Sequence, residues 1–151
     1  MKTNSAVKKS TDMEYSEHAY WVLKGGFILA ALVAGLDKFF NVLTNWSAYL
    51  APVFPDMINV TPENFMLGVG AVELIVGIGV FFKPKFFAYV LSAWFVGIVL
   101  NLMILGGFYD IALRDLGLAI GAFALGQLAD AHERGFVSRE NRVRTNRPIV
   151  T

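Results

Sequence analysis

The chain has 151 residues, 56% of them hydrophobic, a formal net charge of +1 and no cysteine. Near-neutral charge excludes an electrostatic nucleic-acid binder. The missing thiols exclude disulfide staples, cysteine-ligated iron–sulfur clusters and thiol–disulfide exchange with quinone as electron acceptor. So apolar a composition is high for a soluble domain of this length and points to the lipid bilayer as the first partner.

In chain order, residues 1–20 mix Lys, Asp and Glu and do not read as a cleavable signal peptide, so they are expected to stay as a polar N-terminal tail. Apolar segments follow at 21–43, 64–82, 86–106 and about 111–130. Each is close to the ~20 residues that a helix needs to cross a ~30 Å hydrocarbon layer. A basic tail, 131–151, closes the chain. The loop over 44–63 carries Trp46, Tyr49, Phe54, Met57 and Ile58 with Pro52 and Pro55, a composition suited either to lying at the lipid–water boundary or to folding over the bundle mouth. Thr61-Pro62-Glu63 reads as cap, first residue and acidic first turn of the second helix. Lys83-Pro84-Lys85 enforces a tight turn, and Gly106-Gly107-Phe108-Tyr109-Asp110 ends the third helix and caps the fourth with Asp110.

Eleven of the thirteen Lys and Arg residues fall in the two tails, at Lys24, or in the Lys83–Lys85 turn, and the other two connections have none. The positive-inside rule then places both termini and the middle turn in the cytoplasm. The expected fold is an all-α integral membrane four-helix bundle, N-in and C-in. The basic tails serve as topology signals with affinity for anionic lipid.

Two cations, Lys38 and Arg114, lie inside apolar segments, together with Asp37, Glu73, Asn101 and Asp115. A charge in the bilayer centre costs at least ~2.5–3.5 kcal/mol, so partners are expected. By helical rise Glu73 falls near the midplane, Asp37 and Lys38 roughly 7 Å further out, Asn101 at a similar depth, and Arg114 and Asp115 in the outer turns of the last helix. Small residues share stripes with them: Gly26, Ala30 and Ala34 with Lys38; Gly70 and Gly77 with Glu73; Ala93 and Gly97 with Asn101; Gly117 and Gly121 with Arg114. Such stripes suit close helix packing, so these polar groups are expected to converge in the interior. With Asp110 the set holds four carboxylates against two cations, and Glu73, the deepest, is expected to stay uncharged unless Arg114 reaches it. One reading makes the cluster ion pairs that lock the helices in register. The others make it a pocket for a small molecule or quinone head group, or a proton or ion route. His18 and His132 sit outside the spans, which excludes intramembrane bis-His haem ligation, and no carboxylate spacing argues for a metal.

Gly35-x-x-Lys38 late in the first helix, Glu73-x-x-x-Gly77 in the second, Phe81-Phe82-Lys83 at the turn and Arg114-Asp115-Leu116 opening the last resemble the DoxX family of small bacterial and archaeal membrane proteins. The resemblance covers about residues 22–128 and implies a multi-pass protein of the bacterial or archaeal cytoplasmic membrane. Family members often carry a histidine late in the third helix, where this chain has Asn101, so a histidine-dependent redox or metal role does not carry over. Some relatives form the membrane part of a thiosulfate:quinone oxidoreductase, and others associate with redox or detoxification enzymes. The resemblance implies a four-helix membrane bundle with redox-linked relatives. Because a chain with no Cys, no histidine in the spans and no nucleotide motif cannot carry electrons alone, the expected role is a non-catalytic or accessory subunit of a larger membrane complex, with other subunits or further copies as partners. The alternative is a quinone-interacting subunit, in which Lys38 and Arg114 bind a quinone oxygen or an anionic substrate and Glu73 handles the proton. No intrinsic cofactor is expected.

Overall fold

A computed structural model describes the backbone of residues 2–145 and the side chains of residues 14–136. The elements are α1 (Lys2–Phe40), a 3-10 turn (Trp46–Tyr49), the short α2 (Val53–Met57), α3 (Pro62–Phe82), α4 (Pro84–Leu105) and α5 (Tyr109–Thr145). The described residues contain no strand. The four long helices run up and down; α1 pairs mainly with α3 and α4 with α5, and α1–α5 and α3–α4 contacts close the ring. One end of the bundle holds residues 41–61 and the Gly106-Gly107 turn (the loop end). The other holds Lys83 and the continuations of α1 and α5 (the basic end).

Local chemistry sets the helix ends. Thr61 accepts a hydrogen bond from the Asn64 amide at 3.3 Å, with Pro62 at the first helical position of α3. Lys83 alone forms the α3–α4 turn, and Pro84, which has no amide to bond, starts α4. Gly106 (φ 72°) and Gly107 (φ 111°) turn the chain in two residues. The last long helix therefore restarts at Tyr109, so Asp110 lies in its first turn rather than at its cap. The tails also differ from simple polar extensions: α1 begins at Lys2 and α5 runs to Thr145. No proline interrupts residues 2–20 or 131–145, and Arg134–Asp130, an i, i+4 pair at 2.7 Å, supports the α5 continuation.

Four stretches, Glu14–Phe40, Pro62–Phe82, Pro84–Leu105 and Tyr109–Phe136, are long and apolar enough to cross a membrane. Most of each apolar window is uncovered: Leu29, Leu36, Ile75, Ile78, Leu100, Ile104, Leu113 and Ile120 all face outward. The apolar core lies toward the basic end, where Tyr20, Phe27, Val76, Val80, Ala88, Leu91, Ala122, Leu125 and Ala129 pack together. The loop half buries Met66, Leu102 and Ala112 but also the charged Asp37, Lys38, Glu73 and Asp115.

The small-residue stripes do not all face inward. Gly26, Ala30, Ala93, Gly97 and Gly117 are exposed, and a Cβ added at Gly26, Gly97 or Gly117 would meet nothing within 4 Å. Helical phase explains the difference. Each i, i+4 step overshoots a full turn by about 40°, so Gly26 ends about 120° around α1 from Lys38, whereas seven-residue steps nearly hold phase. The buried face of α1 accordingly reads Tyr20, Phe27, Ala31, Gly35 and Lys38, and that of α5 reads Ala112, Asp115, Ala119, Ala122, Gly126 and Ala129.

Candidate functional site

The site is built at the crossing of α1 and α3. A Cβ on Gly70 would lie 2.8 Å from the Gly35 carbonyl oxygen, and one on Gly35 would lie 3.0 Å from that of Gly70. Only two glycines permit this approach. Lys38 and Glu73 each follow their crossing glycine by three residues. In antiparallel helices their Cα–Cβ bonds, both tilted toward their own N-termini, lean toward one another. Lys38 Nζ donates to Glu73 Oε2 at 2.6 Å, with side-chain exposures of 4% and 8%. The partner of Glu73 is thus Lys38, not Arg114.

Indoles close the pair. Trp94 Nε1 from α4 points to Glu73 Oε1 at 3.4 Å. Trp46, on the 3-10 turn, lays its ring with its centroid 3.7 Å from Lys38 Nζ and donates its Nε1 to Asp37 Oδ2 at 2.7 Å. The Ala34 carbonyl lies at 3.5 Å from the ammonium. Asp37 also accepts from the amides of Val42 and Leu43 at 3.0–3.1 Å, so it terminates α1 as well as holding the indole.

Asn101 touches the loop rather than the ion pair. Its Oδ1 accepts from the Ala51 amide at 2.9 Å and its Nδ2 donates to the Tyr49 carbonyl at 2.6 Å, a two-point clamp from α4 onto the chain above it. Tyr49 packs edge-on against Phe108, with ring centroids 4.9 Å apart. Leu50, Ala51 and Pro55 are buried, so residues 46–55 fold over the bundle mouth, while Val53, Met57 and Ile58 point outward.

Arg114 and Asp110 stay outside this assembly. The Arg114 side chain is 64% exposed and bonds its own neighbour, Nε to Asp115 Oδ1 at 3.1 Å. Adjacent residues on a helix point about 100° apart, so both cannot face inward. Asp115, on the small-residue face of α5, is the buried one. Asp110 is exposed. The structure therefore joins Lys38 and Glu73 directly, ties Asp37 to them through Trp46, links Asn101 through the loop, and leaves Asp110, Arg114 and Asp115 outside this set. Trp94 was missed from sequence; its signal is an indole N–H in mid-span, which has to find an acceptor when buried.

At the basic end a second polar set is partly exposed. Lys85 bonds Asp130 and lies 3.8 Å from Glu133, and the His132 ring stacks on Tyr20 at 4.6 Å. Among the described residues no group of three or more His, Asp or Glu could hold a metal ion. No protein-family model, curated protein or solved structure matches the chain.

Proposed function

We propose that the chain is a DoxX-like multi-pass protein of a bacterial or archaeal cytoplasmic membrane, with both termini inside. It serves as a non-catalytic, accessory subunit of a larger redox-linked membrane complex. Supporting insertion, each long helix leaves most of its apolar window uncovered, an area far beyond what a soluble monomer exposes. Lys24, Lys83, Lys85 and Arg134 all sit at or near the basic end, as cytoplasmic residues would.

The observation that carries the accessory role is the outward set of small residues. Gly26 and Ala30 on α1, Ala93 and Gly97 on α4, and Gly117 on α5 lie uncovered within apolar spans. In lipid, where hydrophobic area gives no drive to associate, close approach at small residues is a main source of helix–helix attraction. The charged groups of the interior, by contrast, already satisfy one another. Purification after gentle detergent extraction tests the role: partner membrane subunits should accompany the wild type and be lost from Gly97→Leu or Gly117→Leu. A solitary chain, or retention in both variants, would refute it.

A quinone-interacting role is the second reading, favoured by a buried ammonium that lies against the Trp46 ring and bonds Glu73. Quinone co-purifying with the isolated chain, and lost on Lys38→Met, would replace the accessory reading with this one.

A further inference from the structure

Trp46 occupies a place that other molecules of its kind could fill. Its ring face lies against a buried cation and its edge N–H meets a buried carboxylate. Glu73 and the Ala34 carbonyl take other sides of the ammonium, so the remaining side is shaped for a flat π system. Together Lys38 and Asp37 specify one chemical type: a planar aromatic bearing a hydrogen-bond donor at its edge.

The segment that carries the indole is short and is held at both ends. On one side Asp37 holds the amides of Val42 and Leu43 at 3.0–3.1 Å. On the other, Asn101 holds Tyr49 and Ala51 at 2.6 and 2.9 Å. Only residues 44–48 lie between these anchors, and of these the Thr44 amide is held by Asp37 as well. Their own bonds are long: Ala48 N to Asn45 O at 3.2 Å, Thr44 Oγ1 to the Tyr49 hydroxyl at 3.4 Å, and Trp46 N to Asn41 Oδ1 at 3.4 Å. The turn itself is 3-10, with poorer hydrogen-bond geometry than an α-helix. Trp46 is half-buried at the loop end, so its place opens to the face beyond the bundle rather than into the core.

We infer that the Asp37–Lys38–Glu73 site binds a small planar aromatic with an edge donor, an indole or a phenol by class, in exchange for Trp46. The chain then carries an internal stand-in that keeps the cation and carboxylate partnered when no ligand is present. This inference needs neither the accessory role nor any redox reaction, and its test uses the isolated full-length chain.

The experiment replaces Trp21 and Trp94 by Phe and labels the remaining Trp46 with 5-fluorotryptophan. In lipid nanodiscs, the fluorine resonance is followed during titration with indole and with 1-methylindole. Indole should move the signal saturably to that of a freed ring. 1-Methylindole partitions into lipid at least as well but has no donor for Asp37, and should need about tenfold more, the equivalent of one hydrogen bond to a charged group. An unmoved resonance, or equal action of the two compounds, overturns the inference. Trp46→Ala, lacking the internal competitor, should be stabilised by indole at lower concentration than the wild type requires, and equal response would count against the site. If that variant does not fold, the fluorine titration decides alone.

Discussion

Replacing Glu73 by Gln keeps the shape of the α1–α3 crossing and removes only a charge. The consequence can be sized from the geometry. At 2.6 Å and an effective dielectric near 20, a unit pair gains about 6 kcal/mol of Coulomb energy. Glutamine retains an acceptor oxygen, and Trp46 still lies on the ammonium, so part of that is kept. Solvent recovers little, because Lys38 is only 4% exposed. The expected loss is about 3–5 kcal/mol, the usual cost of orphaning one member of a buried pair. Scaled to a chain of this length it lowers the thermal midpoint by roughly 6–20 °C. Lys38→Met should cost a similar amount by stranding the carboxylate. The double variant Lys38→Met/Glu73→Leu should recover most of the loss and unfold within about 2 kcal/mol of the wild type, since an apolar pair needs no desolvation. Unfolding in one detergent, followed by circular dichroism, compares these proteins, and Glu73→Leu alone, measured beside them, closes the cycle that gives the coupling energy. The reasoning fails if Glu73→Gln lies within about 1 kcal/mol of the wild type, or if the double variant is as unstable as the two single losses added together.

Reporter fusions at Asn59 and Arg144 should read outside and inside respectively, and export of the Arg144 fusion would sink the N-in, C-in topology. Gly70→Ala places a Cβ 2.8 Å from a backbone oxygen that cannot step aside, so α1 and α3 must part, at about 1–3 kcal/mol. Gly97→Ala, with open space around it, should be neutral or stabilising by up to ~1 kcal/mol in the isolated chain; parallel thermal melts compare the two. Asn101→Ala removes both hydrogen bonds to the loop, and the Ala51 amide should lose its protection from hydrogen exchange while the four helices keep theirs. Lys85→Met at the basic end breaks a partly exposed, solvent-screened pair and should leave the midpoint in the same melts nearly unchanged, far from the loss expected of Glu73→Gln.

Four long apolar segments, their separating Pro and Gly residues and their basic bias are properties of local sequence, and they give the number and order of the long helices and the ends that face the connections, but not the extensions of α1 to Lys2 and of α5 to Thr145. Segment length against bilayer thickness needs no partner to be read, nor does a proline's missing amide. The Gly35 and Lys38 spacing could likewise be seen as unusual. Which polar group met which could not. Inferred i, i+4 stripes drift about 40° per step, enough over three steps to turn Gly26 away from Lys38, whereas the meeting of Gly35 with Gly70 is a contact between helices. Arg114 and Asp115 are neighbours in sequence, and only the packing of α5 decides which of them is buried. Lys38 finds Glu73 because two glycines let their backbones nearly touch, and Trp46 finds Lys38 because Asn101 and Asp37 pin the chain on either side of it. These are contacts between residues far apart in sequence or on different helices. A local pattern states what each residue needs, and only the tertiary arrangement decides which partner supplies it.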